Sequence, residues 1–162
     1  MNKIKIERNT NGDSRVATTI PTIKEFGDAN SIHASDVGEM MRYFAEDIKN
    51  RSVNHDWTKL YEPYKSMFYR DLCNTIEGRM KFEDGEWYKL HCDNERHHLL
   101  KHCPDDVNLI DVLEMICDCV CAGMARSGYV RDLEIDAEIL DRAARNTVTL
   151  LENAVELVEE SK

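Results

Sequence analysis

The chain has 162 residues, a formal net charge of −10, 42% hydrophobic residues and 32% charged residues, which is an ordinary balance for one globular domain. Its acidic character argues against general binding to a nucleic-acid polymer, because such binding needs a basic surface. The chain has only 7 glycines and 3 prolines, the residues that tight turns favour. The composition therefore predicts a mostly helical fold rather than a β-sandwich.

The sequence carries no signal for a membrane or for export. No run of 18 apolar residues occurs, and the opening MNKIKIERNTNGDSR lacks the apolar segment of a signal peptide. We therefore expect a cytoplasmic protein that does not contact a membrane. The 6 cysteines then indicate reduced, mostly buried thiols, since disulfides persist in oxidising compartments.

The N-terminal residues 1–30 are polar and irregular. They predict either a flexible arm or a small hairpin, because the Asn11-Gly12 pair is a turn signal between two short segments. The remainder, residues 31–162, is expected to form a single helical domain.

The first strong helix is predicted over about residues 32–51, with Ser31 as its N-cap. His33 lies four residues before Val37, so it projects from the apolar face of this helix. An isolated histidine on such a face is usually a satisfied core residue. His33 therefore needs a partner elsewhere in the chain before it indicates a site.

His55 and Asp56 stand in a short turn, NHDWTK, that Asn54 can cap and that Pro63 interrupts. A histidine directly before an aspartate is a weak signal by itself. Its meaning depends on whether other metal-ligating side chains come near it. A second helix is predicted over about residues 64–79.

The segment EWYKLHCDNERHHLLKHC follows a turn around Asp84-Gly85 and is ended by Pro104. If it is helical, four side chains share one face at steps of four, three and four, namely Trp87, His91, Asn94 and His98. A solvent-facing polar helix is the alternative for this segment.

The next helix is expected to open at residue 105 or 106 and to stop at Gly128. Three acidic side chains line one of its faces, Asp111, Glu114 and Asp118, and a charged face is usually solvated. Asp118 differs because it lies in the most apolar stretch of the chain, where an aspartate needs a partner or a metal ion. The last helix, at about residues 134–160, indicates core packing.

The order of these residues, a histidine, a His-Asp pair and a later aspartate on separate helical elements, resembles the HD-domain superfamily of metal-dependent phosphohydrolases. Members of that superfamily are all-helical, so the resemblance implies a single-domain helical bundle of the HD type. The motifs HDWTKL, NERHH and EMICD also look like a small, uncharacterised HD-like group of phages and bacteria.

The resemblance implies a set of ligands for a divalent metal, His33, His55, Asp56 and Asp118. Two-metal members insert further histidines, and the corresponding ones here are His91, His97 and His98. The pattern is similar to that of a two-metal member in which Asp56 bridges the ions. HDWTK also looks like the His-Asp-x-x-Lys form in which the lysine, here Lys59, approaches the substrate phosphate.

Imidazole and carboxylate ligands suit one or two ions of Mn, Fe, Co, Ni or Zn. The expected function is a phosphohydrolase that acts on a nucleotide or another small phosphate ester through a metal-activated water. Asp56 and Lys59 are the expected catalytic residues, and Lys59 and Arg96 are the candidate cationic groups for substrate binding. The sequence leaves open whether the chain forms a homodimer.

Two other interpretations are carried forward. The first is a helical binding or regulatory protein that retains a structural or vestigial metal site. This interpretation includes a protein encoded by a phage. The second is a zinc-stabilised helical module, although its spacings fit no standard zinc motif. Its ligands would be His91 or Cys92, His97 or His98, and His102 or Cys103.

Overall fold

The computed structural model describes residues 3–8, 19–130 and 132–159, and within these ranges the chain is mainly helical. The elements in chain order are β1 (Ile4–Arg8), α1 (Ile23–Asn54), α2 (Trp57–Leu60), α3 (Tyr64–Ile76), α4 (Glu86–Asn94), α5 (Leu109–Ser127), α6 (Ala137–Ala154) and β2 (Val155–Glu159). The predicted all-α class is confirmed only as a mainly helical fold, because the structure also has the two strands β1 and β2. No helix of the described ranges is long and apolar enough to cross a membrane.

The chain divides into two compact units. The first unit holds the described residues up to 49 and from 148 on, and the second unit is Asn50–Thr147. Residue 30, the predicted boundary between arm and domain, lies inside α1. Each unit is described by itself below.

In the first unit, β1 and β2 pair in parallel, with Ile4 opposite Val155 and Arg8 opposite Glu159. The chain therefore leaves the predicted last helix at Ala154 and continues as a strand. The predicted N-terminal hairpin turn at Asn11-Gly12 lies outside the described residues.

The helix α1 begins earlier than predicted because a capping box stands at its start. Thr22 Oγ1 accepts a hydrogen bond from Glu25 N at 3.3 Å, and Glu25 Oε2 accepts one from Thr22 N at 2.7 Å. Ser31, the predicted N-cap, lies inside the helix, where its hydroxyl donates to Gly27 O at 2.9 Å. That assignment was wrong because the stronger capping signal lies nine positions upstream.

In the second unit, the start of α5 is also fixed by a capping box. Asn108 Oδ1 accepts from Ile110 N at 2.9 Å, and Asp111 Oδ2 accepts from Asn108 N at 2.8 Å. The helix ends at Gly128, as predicted, where the backbone turns left-handed with φ 73°. The core beside it is an apolar cluster of Leu99, Val107, Val112, Met115 and Ala143.

Helix α4 is held against α3 at its first turn. Asp71 is buried on α3, and its Oδ2 accepts from Trp87 N at 2.8 Å. A Cβ atom at residue 85 would lie 2.8 Å from the same Oδ2, so only glycine fits there without a shift. The ring of Phe68 stacks on Trp87 with 4.1 Å between centroids. These contacts set the position of α4, which carries His91.

Candidate metal centre

The His-Asp pair stands at the corner between α1 and α2. Asp56 has φ 58° and ψ 31°, the left-handed conformation that few residues other than glycine adopt. The turn is closed by a hydrogen bond from Lys59 N to Asp56 O at 2.8 Å. The Lys59 ammonium donates to Asp56 Oδ2 at 2.5 Å. Within the described ranges, the other oxygen, Oδ1, is buried and has no hydrogen-bond partner.

Three imidazole rings point their Nε2 atoms at this carboxylate. His55 Nε2 lies 3.4 Å from Asp56 Oδ2. His91 Nε2 and His97 Nε2 lie 3.5 Å and 3.7 Å from Asp56 Oδ1. The three rings come from the α1–α2 corner, from α4 and from the turn after α4, so the arrangement depends on the tertiary fold.

Two further predicted ligands complete the cluster. His98 Nε2 lies 2.7 Å from His91 Nε2, and Asp118 Oδ1 lies 3.7 Å from His55 Nε2. Ligand atoms within 4.8 Å of one another form three groups among the described residues, of which two share Asp56 and the third consists of His55, His97 and Glu114. Subsite A consists of His55, Asp56 and Asp118, and subsite B consists of Asp56, His91, His97 and His98. The geometry thus offers two adjacent places for an ion.

The hydrogen bonds of Thr58 settle the tautomer of His91. The Thr58 hydroxyl donates its one proton to Glu95 Oε1 at 2.8 Å, and Thr58 N donates to the same oxygen at 3.0 Å. Thr58 Oγ1 therefore accepts the proton of His91 Nδ1, which is 2.6 Å away. The lone pair of His91 then sits on Nε2, the atom that faces Asp56.

Glu114 faces two of the imidazoles from the opposite side. Its Oε1 lies 2.9 Å from His55 Nδ1 and 3.4 Å from His97 Nδ1. The first contact is a hydrogen bond, whereas the second is longer than one of ordinary geometry. In both rings Nδ1 is directed to a carboxylate and Nε2 to Asp56, which is the arrangement of metal-ligating histidines.

The charges of the cluster suit metal binding. Burial, together with the neighbouring His98, lowers the pKa of His91 to about 3, and burial with His97 lowers the pKa of His98 to about 4. Both rings are therefore neutral at pH 7, the form that binds metal. Burial opposes ionisation of Glu114, but its contacts with His97 and His55 lower its pKa to about 2. Burial opposes a charge on His97 as well, but the same carboxylate raises the pKa of that ring.

A buried wall supports subsite B from behind. Trp87 is 1% exposed and stacks on His91 with 4.5 Å between ring centroids. Its Nε1 donates to Thr58 O at 3.2 Å, so one side chain braces both the imidazole and the residue that orients it. Thr58 itself is 0% exposed.

Arg96, a predicted substrate-binding residue, pairs with two carboxylates in the structure. Its guanidinium donates to both oxygens of Asp111 at 2.8 Å and to Asp106 Oδ1 at 3.0 Å. Asp111 is 0% exposed and caps α5. Arg96 therefore neutralises this buried carboxylate, and its predicted contact with substrate stays a prediction.

A cleft of about 680 Å³ in the second unit opens beside the cluster. Four cluster residues line it, Lys59, His91, His98 and Asp118. Its other walls hold the aromatic residues Phe68, Phe82, Trp87 and Tyr88 and the charged residues Glu83, Arg126 and Asp132. A small molecule in this cleft would therefore meet the cluster from the side of Lys59 and His98.

The structure brings together most of the predicted site residues, namely His55, Asp56, Lys59, His91, His97, His98 and Asp118. His33 is exposed in the first unit and is in none of the groups of ligand atoms that the described residues form. The predicted solvation of the acidic face of α5 is wrong at Asp111 and Glu114. A spacing of one helical turn between Glu114 and Asp118 was the available signal for including Glu114.

The fold and the site define a mainly helical protein with a cluster of histidines and carboxylates that could hold a metal ion. The chain belongs to DUF5662, a family of unknown function, whose model matches residues 22–161. This range contains both subsites and Glu114. Comparisons with curated proteins and with solved structures gave no match.

Proposed function

We propose that this chain is a metal-dependent phosphohydrolase of the HD type that acts on a nucleotide or another small phosphate ester. The observation that carries the proposal is the convergence of three imidazole Nε2 atoms on the Asp56 carboxylate. A buried carboxylate oxygen without a donor is costly, as is a buried imidazole with both nitrogens unpaired. Asp56 Oδ1 and both nitrogens of His97 are in this condition among the described groups.

A divalent transition ion fits these residues. The donors are neutral imidazole nitrogens and carboxylate oxygens, a set that suits Mn, Fe, Co, Ni or Zn better than Mg or Ca. Subsites A and B share Asp56, so the proposal includes one or two ions, and Asp56 would help to hold either of them. Bound there, an ion would supply a polarised water and neutralise phosphate oxygens.

In the proposed reaction, side chains of the protein would bind and orient the phosphate group of the substrate. Lys59 lines both the cluster and the cleft, so its ammonium is placed to contact a phosphate that approaches from the cleft. Such a contact stabilises the charge that builds on the phosphoryl oxygens in the transition state. The aromatic walls of the cleft provide apolar surface for the organic part of the ester.

A helical binding or regulatory protein with the same metal site is the second candidate. The observation that favours it is the ion pair between Lys59 and Asp56, because this pair occupies the ammonium that a substrate phosphate would need. In that case the metal ion would bind a ligand or stabilise the fold, and no substrate would be hydrolysed.

The two candidates are separated by measuring metal content and hydrolysis on one preparation. Purified protein with added Mn²⁺ is offered nucleoside mono-, di- and triphosphates and cyclic dinucleotides, and phosphate or nucleotide release is followed with and without a chelator. Release that depends on metal supports the phosphohydrolase. Tight metal binding without any release supports the binding protein, and no metal binding rejects both.

A further inference from the structure

Glu114 is a partly buried acid on α5 that lies next to residues of both subsites. Its Oε1 lies 2.9 Å from Nδ1 of His55, a member of subsite A, and 3.4 Å from Nδ1 of His97, a member of subsite B. One oxygen atom therefore faces one ring of each subsite. The Glu114 side chain is 16% exposed, so water competes little for this oxygen.

A carboxylate only accepts hydrogen bonds, and a neutral imidazole carries one N–H. The proton of each ring is therefore favoured on Nδ1, beside Glu114, and the lone pair on Nε2. In His55 and His97 it is Nε2 that faces Asp56. Through a hydrogen bond to His55 and a longer electrostatic contact with His97, Glu114 thus favours the tautomer in which each ring presents a ligand atom to the same carboxylate.

The position of Glu114 is itself fixed by a charged network. Arg51 Nη1 lies 3.4 Å from Glu114 Oε2 and donates to Asp111 Oδ1. Asp111 also accepts two hydrogen bonds from Arg96 and caps α5 one turn before Glu114. The carboxylate of Glu114 is therefore linked through Arg51 to the residue that caps the start of α5.

The surroundings of Glu114 disfavour a direct bond to a metal ion. The guanidinium of Arg51 is already close to one of its oxygens, and a second cation there would be repelled. By distance alone Glu114 forms a third group of ligand atoms with His55 and His97. Its two imidazole contacts are made through Nδ1, the atom turned away from Asp56.

We propose that Glu114 is a positioning residue that couples the two subsites, holding His55 and His97 with Nε2 toward Asp56 without ligating metal itself. The inference rests on the proposed metal site. It adds that one carboxylate sets the affinity of both subsites, because a change in Glu114 releases one ring from each.

The test compares the full chain with Glu114→Gln, which keeps the shape of the side chain but replaces an acceptor by a donor. Glu86→Gln is the control, since Glu86 is an exposed acid of the same unit that pairs with Arg70 at 3.0 Å. Titration with Co²⁺ should show affinity lower by about 10- to 100-fold in Glu114→Gln at both subsites and unchanged in the control. X-ray absorption should give the same number of ligands per ion in both.

Equal affinity for Co²⁺ in Glu114→Gln and wild type would overturn the proposal. A ligand missing from the X-ray absorption of Glu114→Gln would also overturn it, because Glu114 would then be a direct ligand. If Glu114→Gln does not fold, nitrogen NMR of the metal-free wild type at pH 8 decides. Protons on Nδ1 of His55 and His97 are expected, and protons on Nε2 would refute the role.

This NMR measurement also separates the two proposals. If the wild type binds no Co²⁺ but shows both Nδ1–H tautomers, the proposed metal site fails while Glu114 still orients the rings. If the wild type binds Co²⁺ and the tautomers are Nε2–H, the metal site stands and the role of Glu114 is wrong.

Discussion

Asp56 Oδ1 lies 3.5 Å from His91 Nε2, and neither atom gives the other a hydrogen bond, because His91 carries its proton on Nδ1. His91 Nε2 accepts from His98 Nε2 at 2.7 Å, whereas Asp56 Oδ1 is buried without a donor among the described residues. A buried carboxylate oxygen in this condition is unfavourable without a cation beside it. This relationship is the physical basis of the metal site that we propose.

The first prediction concerns Asp56. Asp56→Asn keeps the left-handed turn, since asparagine tolerates φ 58° better than alanine does, but it removes the negative charge that both subsites share. We expect the variant to fold, to bind no metal by elemental analysis and to lose activity. Full metal occupancy with normal turnover would show that Asp56 is not part of the metal site.

Lys59→Ala should separate phosphate binding from metal binding. Lys59 has no lone pair for a metal while it is protonated, and its departure frees Asp56 Oδ2. Metal affinity should therefore be unchanged or higher, while turnover falls by roughly 10²-fold, the scale of one lost transition-state contact. Lys65→Ala, an exposed lysine on α3, is the matched control. A release rate equal to that of wild type would rule out this role.

The metal-free protein should lose stability as the pH falls below about 6.5. The pKa values of His91 and His98 are lowered to about 3 and about 4 in the folded state, so the unfolded chain takes up these protons first. The free energy of unfolding should decrease from pH 6.5 down to pH 4, by up to about 1.4 kcal/mol per pH unit for each proton. Urea denaturation measures this slope.

The same measurement on His98→Asn checks the cause of the slope. This variant removes one titrating ring and should flatten the pH dependence between pH 6.5 and 4. A slope identical to that of wild type would mean that His98 does not titrate as its surroundings indicate.

His33→Ala should leave the metal content unchanged. His33 is exposed in the first unit and outside both subsites, although the HD-like order of residues assigns it as a ligand. His55→Ala is the matched comparison and should lower the metal content. Loss of metal in His33→Ala would show that the ligand set of the HD type is complete in this chain and that the described subsites lack one member.

Much of the site could be predicted from the sequence because its members lie in short, recognisable motifs. The His55-Asp56 corner and the aspartate in the apolar stretch were identified in this way. His91 and His98 were predicted to share a helical face, yet α4 ends at Asn94. The two rings still meet, because the turn after Glu95 returns the chain to the same place.

The parts that sequence reasoning missed depend on contacts far apart in the chain. Glu95 accepts from Thr58, 37 positions away, and Glu114 contacts His55, 59 positions away. A helical periodicity reports only which residues share a face. It does not reveal that the acidic face of α5 is covered by Arg51 and Arg96, so that face was interpreted as solvated.

The most direct test of the central claim is anomalous diffraction from a crystal of the full chain soaked in Mn²⁺. The account predicts one or two anomalous peaks beside the Asp56 carboxylate, in contact with Nε2 atoms of the histidine cluster. The absence of a peak at Asp56, or a peak at the cysteines of α5 in its place, would contradict it.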